Sequence, residues 1–231
     1  MHKLTPRLRK IASLVPMGSR VADIGTDHAY IPAYLAAEKI AVHAIASDIN
    51  IGPIESAKKT IEKYGVGDIV ETRLGSGLEP ILPGDADVII IAGMGGELIS
   101  AILNKSQEVA KSAKLLILQP MTAVFELREH LSNGKFDFKG EYLVREGEKI
   151  YNIIAVRPGS ECRYSLKELY LGKKLEETAA DLYSAYYKRT VEKLEKAARG
   201  LKKSSDEKNI QKYNEIKNII EELGSDSNEL L

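Results

Sequence analysis

The run Val88-Ile89-Ile90-Ile91-Ala92 is apolar at every position, the pattern of a strand buried on both faces. It lies midway through a stretch, Arg20 to Arg157, in which short apolar runs alternate with helical periodicity. Strands are predicted at Val21–Ile24, Val42–Ser47, Ile69–Leu74, Ala86–Ala92 and Lys114–Gln119. Helices are predicted between them, near Ile31–Glu38, Pro53–Tyr64, Glu97–Lys111 and Thr122–Leu131. Such alternation implies an α/β fold, a parallel sheet with helices on both faces. Two further strands, Phe136–Arg145 and Lys149–Arg157, flank the short polar turn Glu146-Gly147-Glu148. A hairpin cannot contribute two parallel strands, so one of the pair must run against the rest. The count favours a seven-stranded, mostly parallel, Rossmann-like sheet over the two symmetric halves of a dehydrogenase.

Ahead of the sheet, Thr5 and Pro6 supply an N-cap and a first helical residue. Leu4, Leu8, Ile11 and Val15 form an apolar stripe, with Lys3, Arg7, Arg9 and Lys10 on or beside a basic one. Composition shifts at Pro158-Gly159-Ser160, which divides the chain into domains 1–158 and 159–231. Beyond it, Tyr183, Tyr187, Val191, Leu194, Ala198 and Leu201 recur at helical spacing. Ile210, Tyr213, Ile216, Ile220 and Leu223 do so again after a polar break in which Ser204 and Glu207 form a candidate capping box. Two such stripes predict an antiparallel helical hairpin of coiled-coil character, with a frayed tail from Gly224 onward.

Several function classes are excluded at this level. No apolar run approaches the ~18–20 residues of a membrane span, and the basic amino terminus lacks the apolar core of a signal peptide. The single cysteine, Cys162, cannot form an internal disulfide, and no Cys/His cluster has metal-ligand spacing. A cytoplasmic protein without a metal is expected, and no feature points to a stable protein partner. Lysines plus arginines equal aspartates plus glutamates at 33 each, so only the distribution of charge is informative. Residues 188–203 hold seven cations (Lys188, Arg189, Lys193, Lys196, Arg199, Lys202, Lys203) against Glu192 and Glu195. A chain of zero net charge can thus present a basic end to phosphates. For any single lysine the plainer reading, a solvated helix face, is the better one. Tyr186 and Tyr187 beside that cluster could stack on bases, although their spacing favours core packing for at least one.

In an open α/β sheet ligands bind beyond the carboxyl ends of the strands. The first strand exits into Asp23-Ile24-Gly25-Thr26-Asp27-His28-Ala29-Tyr30, where Gly25 permits a tight turn. The dinucleotide fingerprint fails, because Asp27 and Tyr30 stand where its second and third glycines belong. A carboxylate at that helix start would repel a pyrophosphate and suit a cationic ligand such as S-adenosylmethionine. The second strand ends in Ser47-Asp48-Ile49-Asn50, where a carboxylate can accept from both ribose hydroxyls or merely cap the next helix. After the most buried strand come Ala92-Gly93-Met94-Gly95-Gly96, whose glycines would leave N–H groups free for a ligand. Gly75-Ser76-Gly77-Leu78 closes the third strand and is suited to an adenine pocket.

These strings, with Leu116-Ile117-Leu118-Gln119-Pro120, resemble the bacterial TrmK family of tRNA (adenine-22-N1)-methyltransferases. The resemblance spans nearly the whole chain. It implies a class I methyltransferase domain followed by a coiled-coil-like helical domain, S-adenosyl-L-methionine as cofactor and tRNA as substrate. Carried over residue by residue, it implies cofactor contacts at Asp23, Gly25, Thr26, Asp27, His28, Asp48, Ile49, Ser76, Gly77, Leu78, Ala92, Gly93 and Met94. Asp27, Tyr30 and Met94 become the candidates beside the reacting base. Arg7, Arg9, Lys10, Lys188, Arg189, Lys193 and Lys196 are the candidates for the RNA backbone. The chain departs from the pattern at Ser76, where Asp or Asn is usual, at Met121, where Asn is common, and at Leu171-Gly172-Lys173, where the family has Gly-Pro. A small-molecule methyltransferase with a helical lid or dimerisation arm, and a binding module without chemistry, are the competing readings.

Overall fold

The computed structural model describes residues 4–159, 163–175, 179–202 and 205–226. It contains two compact units, residues 1–163 and residues 164–231. The predicted roles of Lys3, Cys162 and the Ser204 cap lie outside the described residues.

In the first unit helix α1 (Pro6–Ser13) starts as its sequence requires, with Pro6 at the first position and the Thr5 hydroxyl accepting from the Leu8 N–H. Strand β1 (Ser19–Ile24), helix α2 (Tyr30–Ala37), β2 (Ala41–Asp48), α3 (Ile51–Tyr64), β3 (Val70–Leu74) and β4 (Val88–Gly95) follow. The predicted Glu97–Lys111 helix is two helices, α4 (Gly96–Lys105) and α5 (Gln107–Ser112). Ser106 breaks the ladder with φ −122° and ψ 51°, and the break turns Val109 and Ala110 into the core. Strand β5 (Leu115–Thr122) runs three residues further than expected, so α6 (Val124–Asn133) begins later, after Ala123 in the left-handed region. Strands β6 (Phe136–Glu146) and β7 (Lys149–Pro158) complete one seven-stranded sheet of order β3-β2-β1-β4-β5-β7-β6.

Strands β1 to β5 pair in parallel, and β7 lies antiparallel to both β5 and β6. The reversed strand demanded by the terminal hairpin is therefore β7. Val88 to Ile91 are buried as a doubly covered strand must be, and α1 with its flanking residues adds Leu4, Ile11 and Val15 to the core that holds Val88 and Ile90. Arg128 and Glu141 form an ion pair with both side chains almost fully buried, tying α6 to β6.

The second unit holds α7 (Leu166–Leu171), α8 (Ala180–Leu201) and α9 (Glu207–Asp226). Sequence periodicity missed α7, although Ser165 and Glu168 form a complete capping box that marks its start. The hairpin seam joins Leu194, Tyr187, Val191, Ala198 and Leu201 of α8 to Ile216, Ile219, Ile220 and Leu223 of α9, with Leu171. Ile210, predicted to belong to the stripe, is exposed, and Ile219 takes part in its place. Helix α9 continues through Asp226, past the predicted fraying point at Gly224.

Candidate active site

Asp23, Asp48, Gly93 and Gln119 all stand at the carboxyl ends of adjacent parallel strands, so the sheet order gathers segments far apart in sequence. At the exit of β1 the backbone turns at Gly25, φ +73°, while the Gly25 and Thr26 N–H groups donate to the Ser47 carbonyl (2.8 and 2.9 Å). A Cβ on Gly25 would collide with the flexible end of Met94, so these two predicted residues share the floor of the crevice. Asp23 is buried, and desolvation pushes its carboxyl up to about 6, with a Thr26 hydrogen bond pulling the other way. The Thr26 hydroxyl also accepts from the Ala29 N–H (3.1 Å), and Ala29 sits at φ +53°. A non-glycine residue in that region marks a loop whose shape is imposed by its surroundings.

Asp27 points outward with its side chain 83% exposed, 3.4 Å from the His28 imidazole. The His28 ring stacks on Tyr30 at 5.1 Å between centroids. Together they give the mouth of the crevice a carboxylate beside a flat aromatic ledge.

At the tip of β2, one Asp48 oxygen accepts from the Asn50 N–H (2.7 Å). Asn50, not Asp48, occupies the cap position of α3. The capping alternative for Asp48 thus does not hold, and three of the carboxylate's lone pairs remain for a ligand. Ile49 beside it is 62% exposed, an apolar surface next to an acid. The Gly75 N–H donates to the Asp48 carbonyl (2.9 Å), drawing Ser76 and Gly77 to the same rim, with Leu78 buried beneath.

The glycines where β4 passes into α4 divide their work. Gly93 is exposed at φ +80°. Its N–H is not free as expected: it donates to the buried Gln119 Oε1 (3.1 Å). Gly96 is required by packing, because a Cβ there would collide with the Ala123 carbonyl between α4 and α6. Gln119, which the sequence left without a role, is the buried polar residue that meets Gly93. Its signal was a polar residue closing the otherwise apolar run of β5.

The predicted RNA-binding cations divide as well. Arg9 is exposed, its guanidinium donating to the Leu4 carbonyl (3.3 Å). Lys10 lies over the Tyr142 ring at 3.8 Å, and burial lowers its ammonium from the ordinary lysine value. Arg7 turns inward, donating to Gln119 and lying 5.2 Å from the Tyr151 ring centre. Lys188, Arg189, Lys193 and Lys196 are all exposed on α8. Tyr187 instead sits in the hairpin seam, its hydroxyl donating to the Leu223 carbonyl (2.6 Å), and Tyr186 donates to the Tyr170 carbonyl (3.4 Å). Among the described residues no group of three or more His, Cys, Asp or Glu is arranged to hold a metal, and no helix is long and apolar enough to cross a membrane.

A β3-β2-β1-β4-β5-β7-β6 sheet, with a glycine turn after β1 and an acid at the tip of β2, defines a class I methyltransferase site. The family described as "Methyltransferase domain" accordingly matches residues 4–154. The tRNA (adenine(22)-N(1))-methyltransferase of Bacillus subtilis is 40% identical over 157 residues, which span 68% of this chain and 66% of that relative. The crystal structure of the B. subtilis m1A22 tRNA methyltransferase TrmK superposes with a TM-score of 0.86 at 31% identity, covering 96% of this chain and 99% of that one. Mycoplasma capricolum TrmK, solved with S-adenosylhomocysteine, gives a TM-score of 0.80 at 29% identity, with 97% of each chain covered. The chain belongs to the TrmK family of methyltransferases.

Proposed function

We infer that this protein transfers a methyl group from S-adenosyl-L-methionine to N1 of adenine 22 in tRNA. The observation that carries this reading is the match to B. subtilis TrmK over 96% of the chain, and not over the nucleotide-binding fold alone. In this reading residues 1–158 are the catalytic domain and residues 159–231 the helical tRNA-binding domain.

The residues present suit the cofactor. The crevice offers a turn at Gly25 with only the mobile end of Met94 before it, a carboxylate with spare lone pairs at Asp48, and an apolar face at Ile49. Asp48 would hold the ribose hydroxyls, and Ile49, Ser76, Gly77 and Leu78 would flank the adenine. Asp23, Gly25, Thr26, His28, Ala92, Gly93 and Met94 would enclose the methionine moiety. When bound, the cofactor supplies an electrophilic methyl group, which the in-plane lone pair of N1 can take without prior deprotonation.

Catalysis by this chain is then a matter of positioning and charge rather than of a strong base. Asp27 and Tyr30 border the position of the target base, with Met94 below it. The Asp27 carboxylate eases the positive charge that passes to the base. N1 lies on the Watson–Crick edge, so the adenine must leave its pair or stack before it reaches Tyr30 and Asp27. Arg9, Lys10 and the exposed cations of α8 hold the RNA backbone. The reading brings with it the cytoplasm as the place of work.

The test is nucleoside mass spectrometry of tRNA incubated with the protein and S-adenosyl-L-methionine. It should give 1-methyladenosine, lost when adenine 22 is replaced in the transcript. Methylation of a different atom, or unmodified tRNA alongside a methylated small molecule, would overturn it.

A further inference from the structure

Gln119 is fully buried at the end of an apolar strand, and its amide is held at both ends. Oε1 accepts from the Gly93 N–H (3.1 Å) and from Arg7 Nη1 (2.5 Å), while Nε2 donates to the Pro120 carbonyl (2.8 Å). Both partners of Oε1 are obligate donors, so the amide has one orientation only; the flipped form would set its NH2 against two N–H groups. Arg7 is fixed in turn. Its own N–H donates to Glu146 Oε2 (3.2 Å), and its guanidinium lies over Tyr151. A continuous polar connection therefore runs from α1 through β5 to the carboxyl end of β4.

Gly93 lies where the pairing of β4 with β5 shifts register, between Ala92 and Met94. At φ +80° Gly93 adopts a conformation that favours glycine, and a Cβ placed on it would meet Arg7 Nη1 at 3.8 Å. A planar peptide carries its N–H and C=O on opposite sides, so a bond that fixes the Gly93 N–H also fixes the Ala92 carbonyl. Both residues stand where the proposed function places cofactor and base.

We propose that Gln119 is a positioning residue for methyl transfer, its amide oxygen fixing the Ala92–Gly93 peptide, with Arg7 fixing Gln119. The inference rests on the methyltransferase reading. It gives Arg7 a role inside the catalytic unit and makes α1 a support of the carboxyl end of β4. A side chain that only filled space would be replaced by methionine, which has similar length and no strong acceptor, without loss of rate.

The experiment compares full-length wild type, Gln119→Met, Gln119→Glu, Arg7→Met and the double variant Arg7→Met/Gln119→Met in steady-state tRNA methylation. Melting temperature and S-adenosyl-L-methionine affinity are measured in parallel. Gln119→Met should lower kcat roughly ten- to a hundredfold while KM for tRNA and cofactor affinity stay within about twofold, the signature of lost alignment. Gln119→Glu, which keeps an acceptor facing Gly93 and Arg7, should recover most of that rate. Arg7→Met should show a smaller loss in kcat, and the double variant should be no slower than Gln119→Met, because the two act in series. Wild-type kcat in Gln119→Met, or additive losses in the double variant, would overturn the proposal. Should Gln119→Met not fold, a wild-type kcat in Arg7→Met would do the same. Failure of the wild-type protein to methylate tRNA would instead refute the functional reading.

Discussion

The α/β unit and the helical hairpin solve different problems with the same kinds of residue. Inside the first, several polar groups buried among apolar strands are oriented by a partner: Asp23 by Thr26, Gln119 by Gly93 and Arg7, Arg128 by Glu141. Such groups are costly to bury unless satisfied, so they specify one arrangement. The hairpin has a narrow apolar seam, with Leu194, Ile216, Ile219 and Leu223 buried and Lys188, Arg189, Lys193 and Lys196 exposed. Docking to phosphates requires the sign of the charge and the pitch of a helix, not a particular side chain at a particular ångström. Against the B. subtilis relative, sequence alignment at 40% identity reaches 68% of the chain, whereas superposition reaches 96% at 31% identity.

The largest effect that would break this division comes from removing residues 164–231. If the hairpin serves to dock RNA, the remaining unit should bind S-adenosyl-L-methionine with affinity close to that of the full chain, as read by calorimetry. Methylation of tRNA should fall below detection. Retained turnover on tRNA would show that the α/β unit recognises its substrate alone.

A smaller loss is expected inside the crevice. Asp48→Ala removes a carboxylate whose local bond to Asn50 is confined to one oxygen, so the fold should persist. Losing hydrogen bonds to a charged acceptor costs roughly 1.5–3 kcal/mol, or about ten- to a hundredfold in cofactor affinity. An unchanged dissociation constant in a folded variant would remove Asp48 from the site.

How much of this was legible in the sequence follows the same division. Strand positions came from runs such as Val88–Ile91, because burial on both faces leaves an unmistakable pattern. The break at Ser106 left none: apolar spacing continues across it, and its backbone angles are set by what α5 must bury. In the site, Asp23, Gly25, Asp48 and Gly93 could be placed because strand ends converge in any sheet of this kind. The bonds that orient them could not. Gly93 reaches Gln119 across 26 positions and Arg7 reaches it across 112, and no local rule relates such residues. Arg7 itself read as one more basic residue on a helix, yet the fold turns its guanidinium inward.

The smallest effect belongs to a single cation of α8. Lys193 is exposed on a helix whose apolar seam does not include it, so Lys193→Ala should leave the melting temperature unchanged. An exposed charge contact is worth about 0.5–1 kcal/mol, which lowers tRNA affinity by roughly two- to fivefold. More telling is the salt dependence. A lysine that neutralises one phosphate releases its condensed counterion, so its loss should flatten the slope of log affinity against log salt by about 0.7–0.9. Cofactor affinity and kcat at saturating tRNA should not move. A flattened slope with intact kcat sets Lys193 apart from every residue of the crevice, whose loss acts on cofactor or rate. An unchanged slope would mean that this face of α8 is only solvated, and that the hairpin engages RNA through another surface.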